Sequence, residues 1–90
     1  MASVDARLKS ISNELEGRLA NDGGVPRNIR KGATDAIALL LDDKKPLDLR
    51  VSNAINILAD LSNDPNIPME SWSAIMQILS ELEILLKEVA

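Results

Sequence analysis

The sequence contains no cysteine and no histidine. Without cysteine there are no disulfides, no thiolate chemistry and no Cys-ligated zinc, a composition that fits a reducing compartment. Without histidine the commonest general base and the commonest metal ligand are missing. Tyrosine and phenylalanine are absent too, and Trp72 is the only aromatic residue. One ring cannot make the platform on which successive nucleic-acid bases stack. Long apolar runs are also missing. The longest, Ala36 to Leu41, is far short of the roughly 20 residues a membrane span needs. Met1 to Asn13 alternates polar and apolar residues and has no signal-peptide pattern. The expectation is a soluble, cytoplasmic protein with no membrane association.

What is present points to helices. Ninety residues, 46% of them hydrophobic, are expected to form one domain over 1–90. A domain this small buries only about 60–65% of the surface its unfolded chain exposes. Its core must be built from Leu, Ile, Val, Ala and Met, a composition suited to helix seams.

Four periodic segments are separated by turn chemistry. Over 3–20, Val4, Leu8, Ile11, Leu15 and Leu19 recur every three or four residues, one stripe of a helix. Ser3 is its expected N-cap. Asp5 with Lys9 and Glu14 with Arg18 are acid-first i,i+4 pairs. Asn21-Asp22-Gly23-Gly24 is expected to stop the helix through a left-handed glycine cap.

The second helix, 26–42, opens on Pro26, well placed at a first helical position, and carries Ile29, Ala33, Ala36, Ile37 and Leu40 on its stripe. The third, 46–62, opens on Pro46 and carries Leu47, Val51, Ala54, Ile55, Leu58 and Leu61. Asn63-Asp64-Pro65-Asn66-Ile67-Pro68 ends it, because no helix interior survives two prolines so spaced. This turn reads as a tight connection, with a binding loop as the alternative. The fourth, 68–89, has a wide apolar face: Trp72, Ile75, Met76, Ile78, Leu79, Leu82, Leu85, Leu86 and Val89. Ile84 stands apart on the polar face with Ser73, Gln77 and Ser80. Glu83 with Lys87 is a further acid-first pair.

A weak repeat is visible as well. Pro26, Ile29, Arg30, Ile37 and Leu41 recur twenty residues later as Pro46, Leu49, Arg50, Ile57 and Leu61, which two amphipathic helices of equal length already explain. Short connections make neighbouring helices antiparallel. The expected fold is therefore all-α, a four-helix antiparallel, up-and-down bundle.

The net charge of −4 is unevenly placed. Residues 25–50 hold Arg27, Arg30, Lys31, Lys44, Lys45 and Arg50 against four acids, and residues 51–90 hold only Lys87 against six acids. An acidic overall balance is the reverse of a dedicated nucleic-acid binder. No serine has a histidine to activate it, and adjacent carboxylates at a helix end fall short of a hard-cation site. No Gly-rich phosphate loop, calcium loop or zinc pattern occurs. Neither catalytic residues, cofactors nor metals are expected, and the chain does not read as an enzyme.

Two features remain. Arg27, Arg30, Lys31 and Arg50 are candidates for contact with an anion or acidic partner, since cations in the first turns of a helix oppose its dipole. Trp72 and Ile84 are candidate oligomer contacts. The favoured function is an interaction module that binds itself or another protein. Anion or RNA binding is the alternative.

Five phrases lend the sequence a family likeness. Val25-Pro26-Arg27-Asn28-Ile29-Arg30-Lys31, Leu49-Arg50-Val51, Ala54-Ile55-Asn56-Ile57-Leu58, Ser62-Asn63-Asp64-Pro65-Asn66-Ile67-Pro68 and Ser80-Glu81-Leu82-Glu83 resemble the archaeal uncharacterised protein family 0147 over about residues 10–85. The resemblance implies a four-helix bundle of archaeal origin and supplies no catalytic residues. The chain departs from the family pattern in the last helix, where the family tends to have His, Arg and Trp at the positions of Glu70, Trp72 and Met76. Residues 72 and 76 are one turn apart, so the ring is expected to fill the same pocket from a shifted position.

Overall fold

A computed structural model describes residues 3–90. Helix α1 spans Val4–Leu15 and runs directly into a π-helical turn, Glu16–Ala20; α2 spans Arg27–Leu40, α3 Leu47–Ser62 and α4 Met69–Val89. No strand occurs among the described residues. Each helix packs on its chain neighbours, and α1 with its π-turn closes the ring against α4, while α1 and α3, like α2 and α4, stay apart across the diagonal. This is the expected four-helix up-and-down bundle.

The sequence periodicity explains the core. Leu8, Leu15 and Leu19, Ile29 and Leu40, Val51 and Leu58, and Ile75, Ile78, Leu82 and Leu85 are all fully buried. They follow the three- and four-residue steps that put side chains on one helix face. α2 contributes small residues, with Gly32, Ala33 and Ala36 buried. A Cβ added at Gly32 would lie 2.6 Å from Leu61 Cδ1, so α2 and α3 approach where the side chain is smallest.

One loop design occurs three times. Residues 21–26, 41–46 and 63–68 each have Asp second and Pro last. The carboxylates of Asp22, Asp42 and Asp64 accept from the backbone N–H two residues on, at 2.9, 3.2 and 2.8 Å. Their carbonyls accept from the N–H three residues on, at 3.0, 3.2 and 3.2 Å. These are Asx turns, in which a short carboxylate stands in for a backbone acceptor. Each proline then sits at the N-cap with ψ near 147° (148°, 146° and 148°), one residue earlier than the first helical position expected. The weak twenty-residue repeat thus has a physical basis in a reused loop.

Three further expectations are corrected. No glycine among the described residues has positive φ, so Gly23 and Gly24 are not left-handed caps, and the Asp22 side chain organises that turn instead. The first helix is not α-helical to residue 20. Its last turn bonds i to i+5, as in Asn21 N–H to the Glu16 carbonyl at 2.8 Å. The acid-first pairs Asp5–Lys9, Glu14–Arg18 and Glu83–Lys87 do not close. Among the described residues the ion pairs are Arg7–Glu88, which ties α1 to α4, and Lys31–Asp35 at 3.0 Å. Exposed pairs contribute little, so the rotamers of such side chains are weakly determined by charge alone.

Candidate interaction surface at one end of the bundle

The antiparallel order brings the π-turn, the start of α2, the end of α3 and the start of α4 to one end. The two most distinctive phrases of the sequence meet there. Asn28, in the first turn of α2, donates through Nδ2 to Asp64 Oδ2 of the α3–α4 loop at 2.5 Å. Asp64 therefore accepts from Asn66 N–H with one oxygen and from Asn28 with the other. These two bonds hold its carboxyl below the usual aspartate range.

The candidate cations separate. Arg27 and Lys31 are exposed at this end, with Lys31 bonded to Asp35. Arg30 is half-buried and its Nε finds no partner. Arg50 lies at the opposite end and is only 9% exposed. Its Nη1 donates to the carbonyl of Leu40, the last residue of α2, at 3.3 Å. It satisfies one of the carbonyls that a helix C-terminus leaves open, so it does not join a surface cluster with Arg27, Arg30 and Lys31. Helical arithmetic carried the signal: Arg50 shares a face with Ala54, Ile57 and Leu61.

Trp72 and Ile84 separate as well. Twelve residues of helix put them about 18 Å apart along α4. Ile84 is 58% exposed and borders a depression on the α1–α4 seam with Ala6, Ser10 and Ile11. Glu81, in the same depression, has its carboxyl pushed up by burial first and by the Glu14 charge second, with Arg18 opposing. Trp72 is 41% exposed and is not part of the core, where the wide apolar face placed it; Met76 is equally outside. Ser71 and Ala74 turn inward instead.

Around Trp72 the surface has two parts. A shallow apolar depression of about 310 Å³ is lined by Ile67, Met69 and Trp72. Met69, 75% exposed, is a ridge shared with an open groove of about 610 Å³ between the 21–26 loop and the start of α4. Arg18, Asp22, Glu70, Ser71 and Ser73 supply that groove's polar side chains. The Arg18 guanidinium donates to Gln77 Oε1 of α4 at 2.9 Å, a contact made from the π-turn that the sequence did not suggest. Among the described residues no group of three or more His, Cys, Asp or Glu side chains could hold a metal ion, and no helix is long and apolar enough to cross a membrane.

A family model described as uncharacterised protein family UPF0147 matches residues 1–85. The chain belongs to UPF0147. UPF0147 proteins of Sulfurisphaera tokodaii and Pyrococcus horikoshii are 42% and 37% identical to it, over 92% of this chain and 96% and 89% of theirs. One from Saccharolobus islandicus is 47% identical over 88% of each chain. Two crystal structures share the fold. A protein of unknown function, MMP1188, superposes with a TM-score of 0.88 at 41% identity, over 92% of this chain and 93% of that one. A UPF0147 protein from Thermoplasma acidophilum gives 0.84 at 36% identity, over 91% and 96%. The resemblance read from the Val-Pro-Arg-Asn-Ile-Arg and Asn-Asp-Pro-Asn phrases is thus borne out. UPF0147 membership brings no activity with it.

Proposed function

We propose that this UPF0147 protein is a non-enzymatic interaction module that docks a partner protein at the start of α4. The observation that carries this reading is the position of Trp72. A chain with a single aromatic ring gains most by burying it, since such a ring removes 150–250 Å² from water. Here the ring stays at the surface between Met69 and Met76, both exposed. Tryptophan and methionine are enriched in the fully buried centre of interfaces, where a few aromatic anchors carry most of the binding energy.

The anion- or RNA-binding alternative rests on Arg27 and Lys31, which remain exposed beside the Asn28–Asp64 bond. It ranks second because Arg50 is used as a helix cap at the other end of the bundle, which leaves the exposed cluster smaller than the sequence suggested. The cytoplasmic location expected from the composition belongs to the same proposal and is checked by cell fractionation.

The test is capture from native extract with tagged wild type, Trp72→Ala and Arg27→Ala/Lys31→Ala, each first shown by circular dichroism to be folded. The reading expects a captured protein that Trp72→Ala loses and the double variant keeps. A micromolar dimer in light scattering that Trp72→Ala disperses would make the partner a second copy. Capture lost only in the double variant, or replaced by RNA, would favour the alternative.

A further inference from the structure

The three loop–helix units differ at one telling position. The fourth residue after the loop proline is Arg30 in α2, Arg50 in α3 and Trp72 in α4. The two arginines lie down against the bundle, each with a buried Nε, and Arg50 bonds the end of the preceding helix. The ring of α4 replaces that inward-lying cation with an exposed apolar group.

Carboxylates outnumber cations in the groove beside this ring, with Arg27 and Lys31 of α2 outside its lining. From Val51 to Leu86 there is no Lys or Arg. The groove next to the ring is lined by two carboxylates, Asp22 and Glu70, against the single guanidinium of Arg18, which is engaged by Gln77. Asp22 spends Oδ1 on Gly24 N–H, and Glu70 is exposed. The start of α4 would favour an anion through its dipole, but Glu70, in its first turn, already complements that field. The apolar depression and the acidic groove adjoin across Met69, which lines both. Methionine is flexible and polarizable and adapts to varied apolar shapes.

We infer that this surface takes a basic, apolar segment of a partner protein, with a large apolar side chain against Ile67, Met69 and Trp72 and a Lys or Arg beside Asp22 and Glu70 in the groove. The inference rests on the docking function proposed above and names the chemistry of its partner. An acidic or purely apolar partner leaves the two carboxylates unpaired on its approach, and like charge across an interface suppresses the wrong partner.

Trp72 makes the test direct, because it is the only aromatic residue and its emission reports this surface alone. The probe is a designed Leu–Lys amphipathic helical peptide of about 18 residues, roughly 27 Å long, free of aromatic residues. A Leu–Glu peptide of the same pattern is the control. The expected result is a saturable blue shift of Trp72 emission with the Leu–Lys peptide only, weakened by added salt. Asp22→Asn/Glu70→Gln, in which Asn keeps an acceptor for Gly24 N–H, should weaken binding about tenfold or more. Asp42→Asn/Asp43→Asn at the other end should leave it unchanged. Equal binding of the Leu–Glu peptide, or unaltered binding by Asp22→Asn/Glu70→Gln, overturns the inference. So does emission that shifts with protein concentration before any peptide is added, since the occupant is then a second copy. Native-partner capture separates this inference from the docking reading. Loss in Trp72→Ala but not in Asp22→Asn/Glu70→Gln keeps docking and discards the basic segment. No loss in Trp72→Ala discards both.

Discussion

Gly32 should be the position where the packing of α2 on α3 is most easily disturbed. A Cβ there would meet Leu61 Cδ1, Cδ2 and Cγ at 2.6, 2.8 and 3.0 Å, all inside the roughly 3.5–4.0 Å at which carbon atoms rest. Two effects oppose each other in Gly32→Ala. Helix propensity favours Ala over Gly by about 1 kcal/mol. Overpacking costs about 1–3 kcal/mol. The net expectation is a loss of about 0–2 kcal/mol, in place of the gain that a helical Gly→Ala change would give in open space. In a Leu61→Ala background all three clashing atoms are gone, so the same substitution should stabilise by about 1 kcal/mol. The resulting coupling of about 1–3 kcal/mol is the size expected for residues in contact. Denaturant unfolding followed by circular dichroism measures all four corners of the cycle. In a domain of this size 1 kcal/mol also moves the melting temperature by about 4–8 °C. If Gly32→Ala has the same effect in both backgrounds, Leu61 swings aside freely and the close approach does not depend on glycine.

Three further outcomes follow from the structure. Leu58→Ala removes a fully buried side chain from α3 and should cost about 2–5 kcal/mol in equilibrium unfolding. Glu81 has its carboxyl raised by burial and by Glu14, so its ionised form works against folding. Glu81→Gln should therefore be more stable than wild type at neutral pH, and this advantage should vanish as the pH falls through the raised folded value toward the ordinary glutamate value of about 4.3, as a pH series of melting curves would show. Asp64 has the opposite sign. Its bonds with Asn66 and Asn28 favour the carboxylate, so they stabilise the fold above the ordinary aspartate value of about 3.9 and stop doing so as the pH falls through the lowered folded value. The deficit of Asp64→Ala against wild type should be full at pH 6 and should shrink in strong acid.

Much of the fold was legible because two periodicities agree. Apolar residues at three- and four-residue steps mark the helix faces, and the turn residues before Pro26, Pro46 and Pro68 mark each connection, so the boundaries fall within about two residues of those observed once the π-turn is counted with the first helix. The π-turn was not legible, because Leu15 and Leu19 are four residues apart in either helix type and only the backbone bonds distinguish them. Gly23-Gly24 misled for a related reason: glycine permits a left-handed cap but does not require one, and Asp22 offered another way to close the turn.

The candidate site was half legible. Arg27 and Lys31 are exposed as expected, whereas the burial of Arg50 was written in its shared face with Ala54, Ile57 and Leu61. Trp72 lies at the edge of its helix stripe, where periodicity alone does not separate core from rim. The groove at Asp22 and Glu70 joins residues far apart in the chain, and only the antiparallel return of α4 past the π-turn brings them together.

The start of α4 is the proposed docking site. Amide hydrogen exchange of the protein with and without its captured partner tests this most directly, since a seated partner slows exchange where it covers backbone. Docking there gives new protection over residues 67–77, with α2 residues 27–31 and the 41–46 loop unchanged. Protection confined to 27–31, or none over 67–77, would contradict it.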